Sequence, residues 1–360
     1  MIITLAGAAA GATAPDGPAP FLLAGFDGVG HLPAMITRDI DLACFGEPLM
    51  ELTRVERDAE PPSYRPGYGG DTSNCAIAAA RQGARTAYIS AVGDDSFGRE
   101  LRALWRVEGV DASAVRIDAS APTGLYIITP SPAGRDFAYY RAGSAASRYT
   151  PADLPLDLLP RTRIVQLSGI SQAVGEGPCD AGFRLIEAAR EAGCEVAYDT
   201  NLRLKLWSLE RARAVMHGAI ERCTVALPSV DDSRTLTGLD DPDAIADAYL
   251  RRGPRIVALK LGAEGVLVAT ANERRRLAPN RVDAIDATGA GDTFDGAFLA
   301  RLAVGDDPFE AARYANAAAA LTTTGYGAVA PIPRADAVRA LLARNQAVAG
   351  AGHDRPERRA

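Results

Sequence analysis

The chain has 360 residues, of which 48% are hydrophobic and 23% are charged, and this composition is that of a globular protein rather than a disordered one. Its net charge of −6 excludes a general basic field for nucleic acid or anionic lipid, so an anionic ligand must be bound by local groups. The sequence has no apolar run near the roughly 18 residues that a membrane-spanning helix needs.

The two ends of the chain differ from the part between them. Residues 1–34 lack the positively charged start of a signal peptide, and Met35 stands six residues before a strand-like run, Asp41–Phe45. We therefore expect Met35 to be the biological start and residues 1–34 to be a disordered or misassigned extension. We expect one domain over residues 35–348, followed by a disordered tail over 349–360.

Between these ends, short apolar runs alternate with alanine-rich helical runs. We predict buried strands over Leu42–Phe45, Ala87–Ala91, Arg163–Ser168, Glu195–Asp199, Thr224–Leu227, Ile256–Lys260 and Gly265–Ala269. We predict helices over Ser73–Gln82, Gly98–Glu108, Asp180–Ala192, Leu209–Ala219, Pro242–Arg252, Asp292–Ala303, Pro308–Thr323 and Ala335–Asn345. This alternation indicates βαβ units and a mostly parallel sheet that is covered on both faces, which is a three-layer α/β/α core.

Two stretches, residues 51–68 and 122–141, break this alternation. They are richer in tyrosine, threonine and proline, and they contain the two-residue periodicity of strands that are buried on one face. We predict exposed antiparallel strands there, which pair into a small β-sheet lid over one edge of the core.

The reactive residue types exclude several enzyme classes. Five cysteines without a Cys-x-x-Cys pair predict reduced thiols and a cytoplasmic protein. The three histidines, His31, His217 and His353, lie apart from other polar clusters in the sequence. This argues against serine–histidine hydrolysis and against a zinc site with histidine ligands. Neither lysine, Lys205 or Lys260, follows a Gly-x-x-x-x-Gly segment, so a Walker-type phosphate loop is absent.

The first polar motif in chain order is Tyr68–Asn74, which opens a predicted helix. Its glycine pair, ending at Gly70, allows a ligand to approach the backbone closely, and Asp71 and Asn74 offer polar groups that match hydroxyls. The alternative is an ordinary turn followed by helix-capping residues.

The second motif lies in the predicted lid, over Phe137–Ser147. Tyr139 and Arg141 share one face of a strand, and an aromatic wall beside a guanidinium suits a polyhydroxylated acid, whose carboxylate arginine can bind at two points. The alternative is an edge strand that faces solvent.

The third motif, Asp199–Arg203, follows directly after a predicted strand. Polar residues beyond the carboxyl end of a parallel strand lie where open α/β sheets bind ligands. The alternative is a loop held by a structural salt bridge.

The fourth motif runs from Asp286 to Gly296 and leads into a predicted helix. Gly289 and Gly291 permit a tight turn that points successive amide hydrogens at one anion, and the start of the helix adds its positive dipole end. Asp292 falls in the first helical turn, where its carboxylate can accept the proton of an attacking hydroxyl. The alternative is a capped helix after a glycine turn.

Together, these motifs resemble those of the ribokinase-like (PfkB) sugar kinase family, over about Asp41 to Arg344. The resemblance implies a three-layer core with a β lid that often makes dimer contacts, and ATP-dependent phosphorylation of a sugar hydroxyl with Mg²⁺; a requirement for a monovalent cation stays open. It implies that Asp292 is the catalytic base and that an anion hole is formed by Gly289, Ala290 and Gly291.

The resemblance also implies a nucleotide site. Its residues are Asn201, Lys260, Gly262, Gly265 and Asn316, the last on the helix that flanks the adenine. Where many members carry Asn-x-x-Glu, this chain has Ser229-Val-Asp-Asp232, and Asp232 is expected to support magnesium through water.

Within the family, the sequence is most similar to 2-keto-3-deoxygluconate kinases, which phosphorylate the 6-hydroxyl of a sugar acid. The resemblance implies a substrate site formed by Gly70, Asp71, Asn74, Tyr126, Tyr139, Arg141 and Arg203. The charge of the protein agrees, because an acidic protein needs a dedicated cation such as Arg141 or Arg203 to hold an anionic substrate. The alternatives are a kinase for fructose or 2-keto-3-deoxygalactonate, and a catalytically silent sugar-binding regulator; a dinucleotide oxidoreductase is disfavoured because no Gly-x-Gly-x-x-Gly follows an early strand.

Overall fold

The computed structural model describes residues 38–55, 60–131 and 134–353, so the predicted extension over 1–34 and the end of the predicted tail, 354–360, lie outside the described residues. The strands are β1 (Ile40–Phe45), β2 (Leu49–Arg54), β3 (Tyr64–Gly69), β4 (Thr86–Gly93), β5 (Val110–Asp111), β6 (Val115–Asp118), β7 (Leu125–Ser131), β8 (Gly134–Tyr140), β9 (Thr162–Ser168), β10 (Glu195–Asp199), β11 (Val225–Ala226), β12 (Ile256–Lys260), β13 (Val266–Thr270) and β14 (Arg274–Leu277). The helices are α1 (Asp71–Arg81), α2 (Ser96–Glu108), α3 (Gly169–Ala173), α4 (Glu176–Glu191), α5 (Leu209–Ile220), α6 (Val230–Thr237), α7 (Pro242–Leu250), α8 (Ala290–Ala303), α9 (Pro308–Thr322) and α10 (Ala335–His353).

The main sheet has ten strands in the order β14-β13-β12-β11-β10-β9-β1-β4-β5, with β6 pairing beside β4. The strands from β12 to β5 are parallel, whereas β13 and β14 add an antiparallel edge. β1 is buried along its whole length, because helices cover both of its faces.

Helices pack on both faces of this sheet. On one face, α4, α5 and α7 contribute Leu185, Met216 and Tyr249, and on the other, α1 and α8 contribute Ile77 and Phe298; all five side chains are buried. Two separate apolar clusters on opposite faces make the core three-layered, so the predicted α/β/α fold class is confirmed. No helix among the described segments is long and apolar enough to cross a bilayer.

The predicted lid is present as a separate four-stranded sheet in the order β3-β2-β7-β8. Its two hairpins, β2–β3 and β7–β8, are antiparallel as predicted, but β2 and β7 pair in parallel, so the expectation of an antiparallel lid is wrong at this junction. β2 and β7 are each the first strand of their hairpin. They leave the core in the same direction, and side-by-side contact between them is therefore parallel.

Other differences concern short or charged elements. Among the described residues, β5, β6, β14, α3 and α6 were not predicted, because two to eight residues carry little periodicity and β14 reads Arg-Arg-Arg-Leu. Helix α10 extends beyond Asn345 to His353, so the first five residues of the predicted tail are helical.

Candidate active site

A cleft of about 1300 Å³ lies between the lid and the carboxyl ends of the core strands. Its walls include every site residue that the sequence predicts: Gly70, Asp71, Asn74, Tyr126, Tyr139, Arg141, Asn201, Arg203, Asp232, Lys260, Gly262, Gly265, Gly289, Ala290, Gly291, Asp292 and Asn316. The fold thus brings four motifs that are far apart in the sequence to one cavity, as expected at the ligand-binding edge of an open α/β sheet.

The start of α8 forms one end of this cleft. Gly289 has a φ of 75°, and a Cβ there would lie 2.7 Å from the carbonyl oxygen of Ala328, so only glycine fits without strain. The first helical hydrogen bond runs from the amide of Thr293 to the carbonyl of Gly289, at 2.9 Å. The amides of Gly291 and Asp292 precede that bond and remain available to an anion.

Asp292 connects α8 to α1. Its Oδ2 accepts a hydrogen bond of 2.7 Å from the Nδ2 of Asn74, although the two residues are 218 positions apart. Burial of the carboxyl group and the nearby charge of Asp71 raise the pKa of Asp292 to about 7, while the bond from Asn74 opposes that rise. A carboxyl group with this pKa, beside free amides, is suited to general-base chemistry near neutral pH.

Two buried oxygen atoms beside Asp292 have no partner among the described residues. Asp71 accepts hydrogen bonds at Oδ2 from Ser168 and from the Nδ2 of Asn201, at 2.9 Å for the latter, but its Oδ1 is unpaired. The Oδ1 of Asn74 is also unpaired. Buried acceptors of this kind are costly unless a ligand satisfies them, so these two atoms indicate a ligand that donates hydrogen bonds, such as a polyol.

Lys260 lies next to the start of α8 in a buried cluster of charges. Its Nζ is 2.9 Å from Asp295 Oδ1 and 3.1 Å from Asp199 Oδ1, and a Cβ at Gly291 would lie 3.8 Å from it. Burial disfavours the charged form, but the two carboxylates outweigh burial and raise the pKa of Lys260. Sequence reasoning missed Asp295, although its position three residues after Asp292 places it on the adjacent face of the same helix.

The lid side of the cleft is aromatic and cationic. The ring centroids of Tyr126 and Tyr139 are 5.7 Å apart, and the guanidinium of Arg141 lies 5.9 Å from the centre of the Tyr139 ring. The Nε of Arg141 also donates to Glu47 Oε2 at 2.6 Å, in an ion pair whose acid is fully buried. Sequence reasoning placed Tyr139 and Arg141 on one face but missed Glu47, because their separation of 94 residues leaves no local signal.

Arg203 and Asp232 line the cleft beyond β10. Arg203 is exposed and donates to the carbonyl of Leu202, and it has no ion pair within the part of the chain that the structure describes. Asp232 lies in the first turn of α6; its Oδ2 accepts from the amide of Leu202 at 3.0 Å and from the hydroxyl of Thr200 at 3.2 Å. Burial raises the pKa of Asp232.

Asp232 is the residue that the sequence predicts to support magnesium. No group of three or more His, Cys, Asp or Glu side chains within the described ranges could hold a metal by itself. Magnesium often uses one or two carboxylates and takes its other ligands from phosphate and water. The carboxylate of Asp232, as one protein ligand, therefore fits a magnesium ion that arrives with a nucleotide.

The remaining predicted nucleotide residues lie at the same end as Lys260. Gly262 and Gly265 have φ values of 60° and 94°, and a Cβ at Gly265 would lie 2.1 Å from the carbonyl oxygen of Leu277. The Nδ2 of Asn316 donates to the carbonyl of Ala278 at 2.8 Å, which ties α9 to the segment after β14.

The cleft beneath the lid holds a carboxyl group with a pKa of about 7, Asp292, beside free helix amides. This combination defines a phosphotransferase that acts on a small hydroxylated molecule. A family model described as pfkB family carbohydrate kinase matches residues 39–335. The chain therefore belongs to the PfkB family of carbohydrate kinases, and it is an ATP-dependent sugar kinase.

Known proteins of this family are similar over most of the chain. A probable fructokinase-4 of Arabidopsis thaliana is 34% identical, over 84% of this chain and 97% of that protein. A 2-dehydro-3-deoxygluconokinase of Thermoproteus tenax is 35% identical, over 82% of this chain and 92% of that protein. Among solved structures, a fructokinase double mutant of Vibrio cholerae O395 with bound fructose, ADP and potassium has 28% identity and a TM-score of 0.75, over 85% of this chain and 99% of that one.

Proposed function

We propose that this kinase transfers the γ-phosphoryl group of ATP to the 6-hydroxyl of 2-keto-3-deoxygluconate. The observation that carries the proposal is that Arg141 and Arg203 line the same cleft as the unpaired acceptors of Asp71 and Asn74. Two guanidinium groups fit the carboxylate of a sugar acid, and the acceptors fit its hydroxyls. Since Glu47 balances the charge of Arg141, Arg203 supplies the uncompensated positive charge. The similarity to the Thermoproteus tenax enzyme supports the same substrate class.

In the proposed mechanism, Asp292 removes the proton of the attacking hydroxyl. In the anion hole of Gly289, Ala290 and Gly291, the Ala290 amide donates to the Ala287 carbonyl at 3.2 Å. The free amides of Gly291 and the adjacent Asp292, together with the positive end of the α8 dipole, therefore stabilise the charge that develops on the transferred phosphoryl group. Tyr126 and Tyr139 pack against the sugar, and closure of the lid excludes water that would otherwise accept the phosphoryl group.

The nucleotide occupies the remainder of the cleft in this proposal, against Asn201, Lys260, Gly262, Gly265 and Asn316. Asn201 lies nearest to the sugar, because its Nδ2 donates to Asp71 at 2.9 Å. Magnesium, when bound, neutralises the charge of the ATP phosphates, and Asp232 is the residue that would hold it through water. A potassium ion is included in the proposal, since the Vibrio cholerae fructokinase structure contains one.

A neutral ketose such as fructose is the second candidate, and one observation favours it. The ion pair between Arg141 and Glu47 has no net charge, so on the lid side it suits hydroxyl groups as well as a carboxylate. The similarity to fructokinases points to the same alternative.

A substrate panel distinguishes these candidates. We would measure ADP release in a coupled assay with 2-keto-3-deoxygluconate, 2-keto-3-deoxygalactonate, fructose, ribose and adenosine. The proposal expects the highest kcat/KM for 2-keto-3-deoxygluconate and an Arg203→Ala variant that loses activity on acids more than on fructose. A higher kcat/KM for fructose, or an equal loss on both classes, would contradict the proposal.

We also propose a cytoplasmic dimer that associates through the lid. Tyr140, on the outer strand of the lid, is 62% exposed and lies on the face opposite to the cleft-lining Tyr139, so its ring is available to a partner. All five cysteines are free thiols, as expected in a reducing compartment. Light scattering should give the mass of a dimer for the native chain, whereas a monomer, or a dimer unaffected by Tyr140→Ser, would contradict association through the lid.

A further inference from the structure

Glu47 is a fully buried carboxylate that the proposed reaction does not use. It lies in the short connection from β1 of the core to β2 of the lid, and its side chain has no solvent exposure. It accepts a hydrogen bond of 2.6 Å from the Nε of Arg141, a second contact from Nη2 of the same guanidinium, and one from the hydroxyl of Ser144. Burial raises the pKa of Glu47, and its partners act in the opposite direction.

The place of Glu47 in the fold is unusual, because all four chain connections between core and lid meet at this residue. Its own segment is the first connection, and Arg141 with Ser144 belongs to the connection that returns from β8. A Cβ at Gly70, after β3, would lie 2.5 Å from the Glu47 carbonyl oxygen. A Cβ at Gly124, before β7, would lie 2.7 Å from Glu47 Oε1. Glycine at these positions lets the other two connections approach Glu47, the first at its backbone carbonyl and the second at its carboxylate.

The contacts with Glu47 restrict the guanidinium of Arg141. An arginine side chain has four rotatable bonds, and pairing through both Nε and Nη2 selects one orientation of its planar group. The ion pair therefore fixes the directions in which the remaining N–H groups of Arg141 point. Because Arg141 lines the cleft, its orientation affects whatever ligand binds there.

We propose that Glu47 is a positioning residue for sugar recognition, which acts through Arg141 and holds it at the junction between core and lid. The inference rests on the proposed function in one respect only, the contact between the sugar and Arg141. Loss of the Glu47 carboxylate frees the guanidinium, and a displaced binding group weakens the affinity for the sugar while the nucleotide end of the cleft is unaffected.

The test compares Michaelis constants in the full-length protein. Glu47→Gln should raise KM for 2-keto-3-deoxygluconate by roughly tenfold or more, with KM for ATP unchanged. A merely structural role would lower the active fraction, and hence the apparent kcat, without changing either KM. The matched control is Glu108→Gln, which breaks the buried ion pair of Glu108 with Arg81 (2.8 Å) away from the cleft and should change stability but not the KM for sugar.

A double-mutant cycle tests the route through Arg141. In an Arg141→Ala background, Glu47→Gln should have little further effect on the KM for sugar. An equal increase in both backgrounds, or no increase in the first, would overturn the proposal. If Glu47→Gln does not fold, Arg141→Lys replaces it, since lysine cannot make the two-point contact, and an unchanged KM for sugar in that variant also overturns the proposal.

The cycle is run with both 2-keto-3-deoxygluconate and fructose. If fructose is the better substrate, the proposed function fails, while the KM pattern with fructose still decides the role of Glu47.

Discussion

Replacement of Asp292 by asparagine tests the centre of the proposed mechanism. The hydrogen bond of 2.7 Å from Asn74 can persist, because the Oδ1 of asparagine accepts as a carboxylate oxygen does. We therefore expect Asp292→Asn to fold normally but to lack the base. General-base catalysis contributes roughly 10²- to 10⁴-fold, so kcat should fall by about that factor in a coupled ADP-release assay.

The pH dependence of the wild-type enzyme follows from the raised pKa. With the pKa of Asp292 at about 7, the ionised fraction falls as pH decreases below 7, and kcat/KM should fall about tenfold per pH unit on that limb. Any residual activity of Asp292→Asn should lack this acidic limb. A variant with near-normal turnover, or one that retains the limb, would refute the assignment of Asp292 as the base.

The same group affects stability. The folded-state pKa of Asp292 lies above the unfolded value of 3.8, so the folded state keeps a proton that the unfolded state releases, and stability falls as pH rises from about 4 to 7. A difference of about three pKa units corresponds to roughly 4 kcal/mol as an upper bound. Urea denaturation should therefore show Asp292→Asn to be more stable than wild type at pH 8, with the advantage vanishing near pH 4; equal stability at both pH values would contradict this reasoning.

Three further outcomes are expected. Gly289→Ala places a Cβ at a φ of 75° and 2.7 Å from the Ala328 carbonyl, so urea denaturation should show a loss of roughly 1–2 kcal/mol or more; an unchanged midpoint would contradict this. Lys260→Met leaves Asp199 and Asp295 buried without their cation, which should lower the free energy of unfolding by roughly 3–5 kcal/mol, and an unchanged thermal midpoint would show otherwise. EDTA should abolish phosphoryl transfer and added magnesium should restore it, whereas turnover that persists in EDTA excludes the metal.

Local sequence patterns were sufficient for the layered fold, and together with the resemblance to a sugar kinase family they were sufficient for most of the candidate site. Apolar runs and helix periodicity act over a few residues. They place the ends of β10 and β12 correctly and the start of α8 within two residues, at Asp292 rather than Ala290. Once parallel strands are inferred, their carboxyl ends must share one edge, which predicts a ligand site at the polar residues 199–203. The resemblance to a sugar kinase family, rather than strand position, assigned residues 286–292 to the same site, and both segments line one cleft.

The sequence by itself predicted the fold class, the lid and a helix start suited to binding an anion, because each of these depends on residues that are close together in the chain. Only the tertiary structure decided which groups meet: the parallel contact of β2 with β7, the pair of Glu47 with Arg141, and the cluster of Lys260 with Asp199 and Asp295. The value of about 7 for the pKa of Asp292 also belongs to the tertiary structure. Both causes of this raised pKa, the desolvation of Asp292 and the nearby charge of Asp71, arise only when distant segments of the chain come together in the fold. A local sequence pattern therefore cannot predict the pKa.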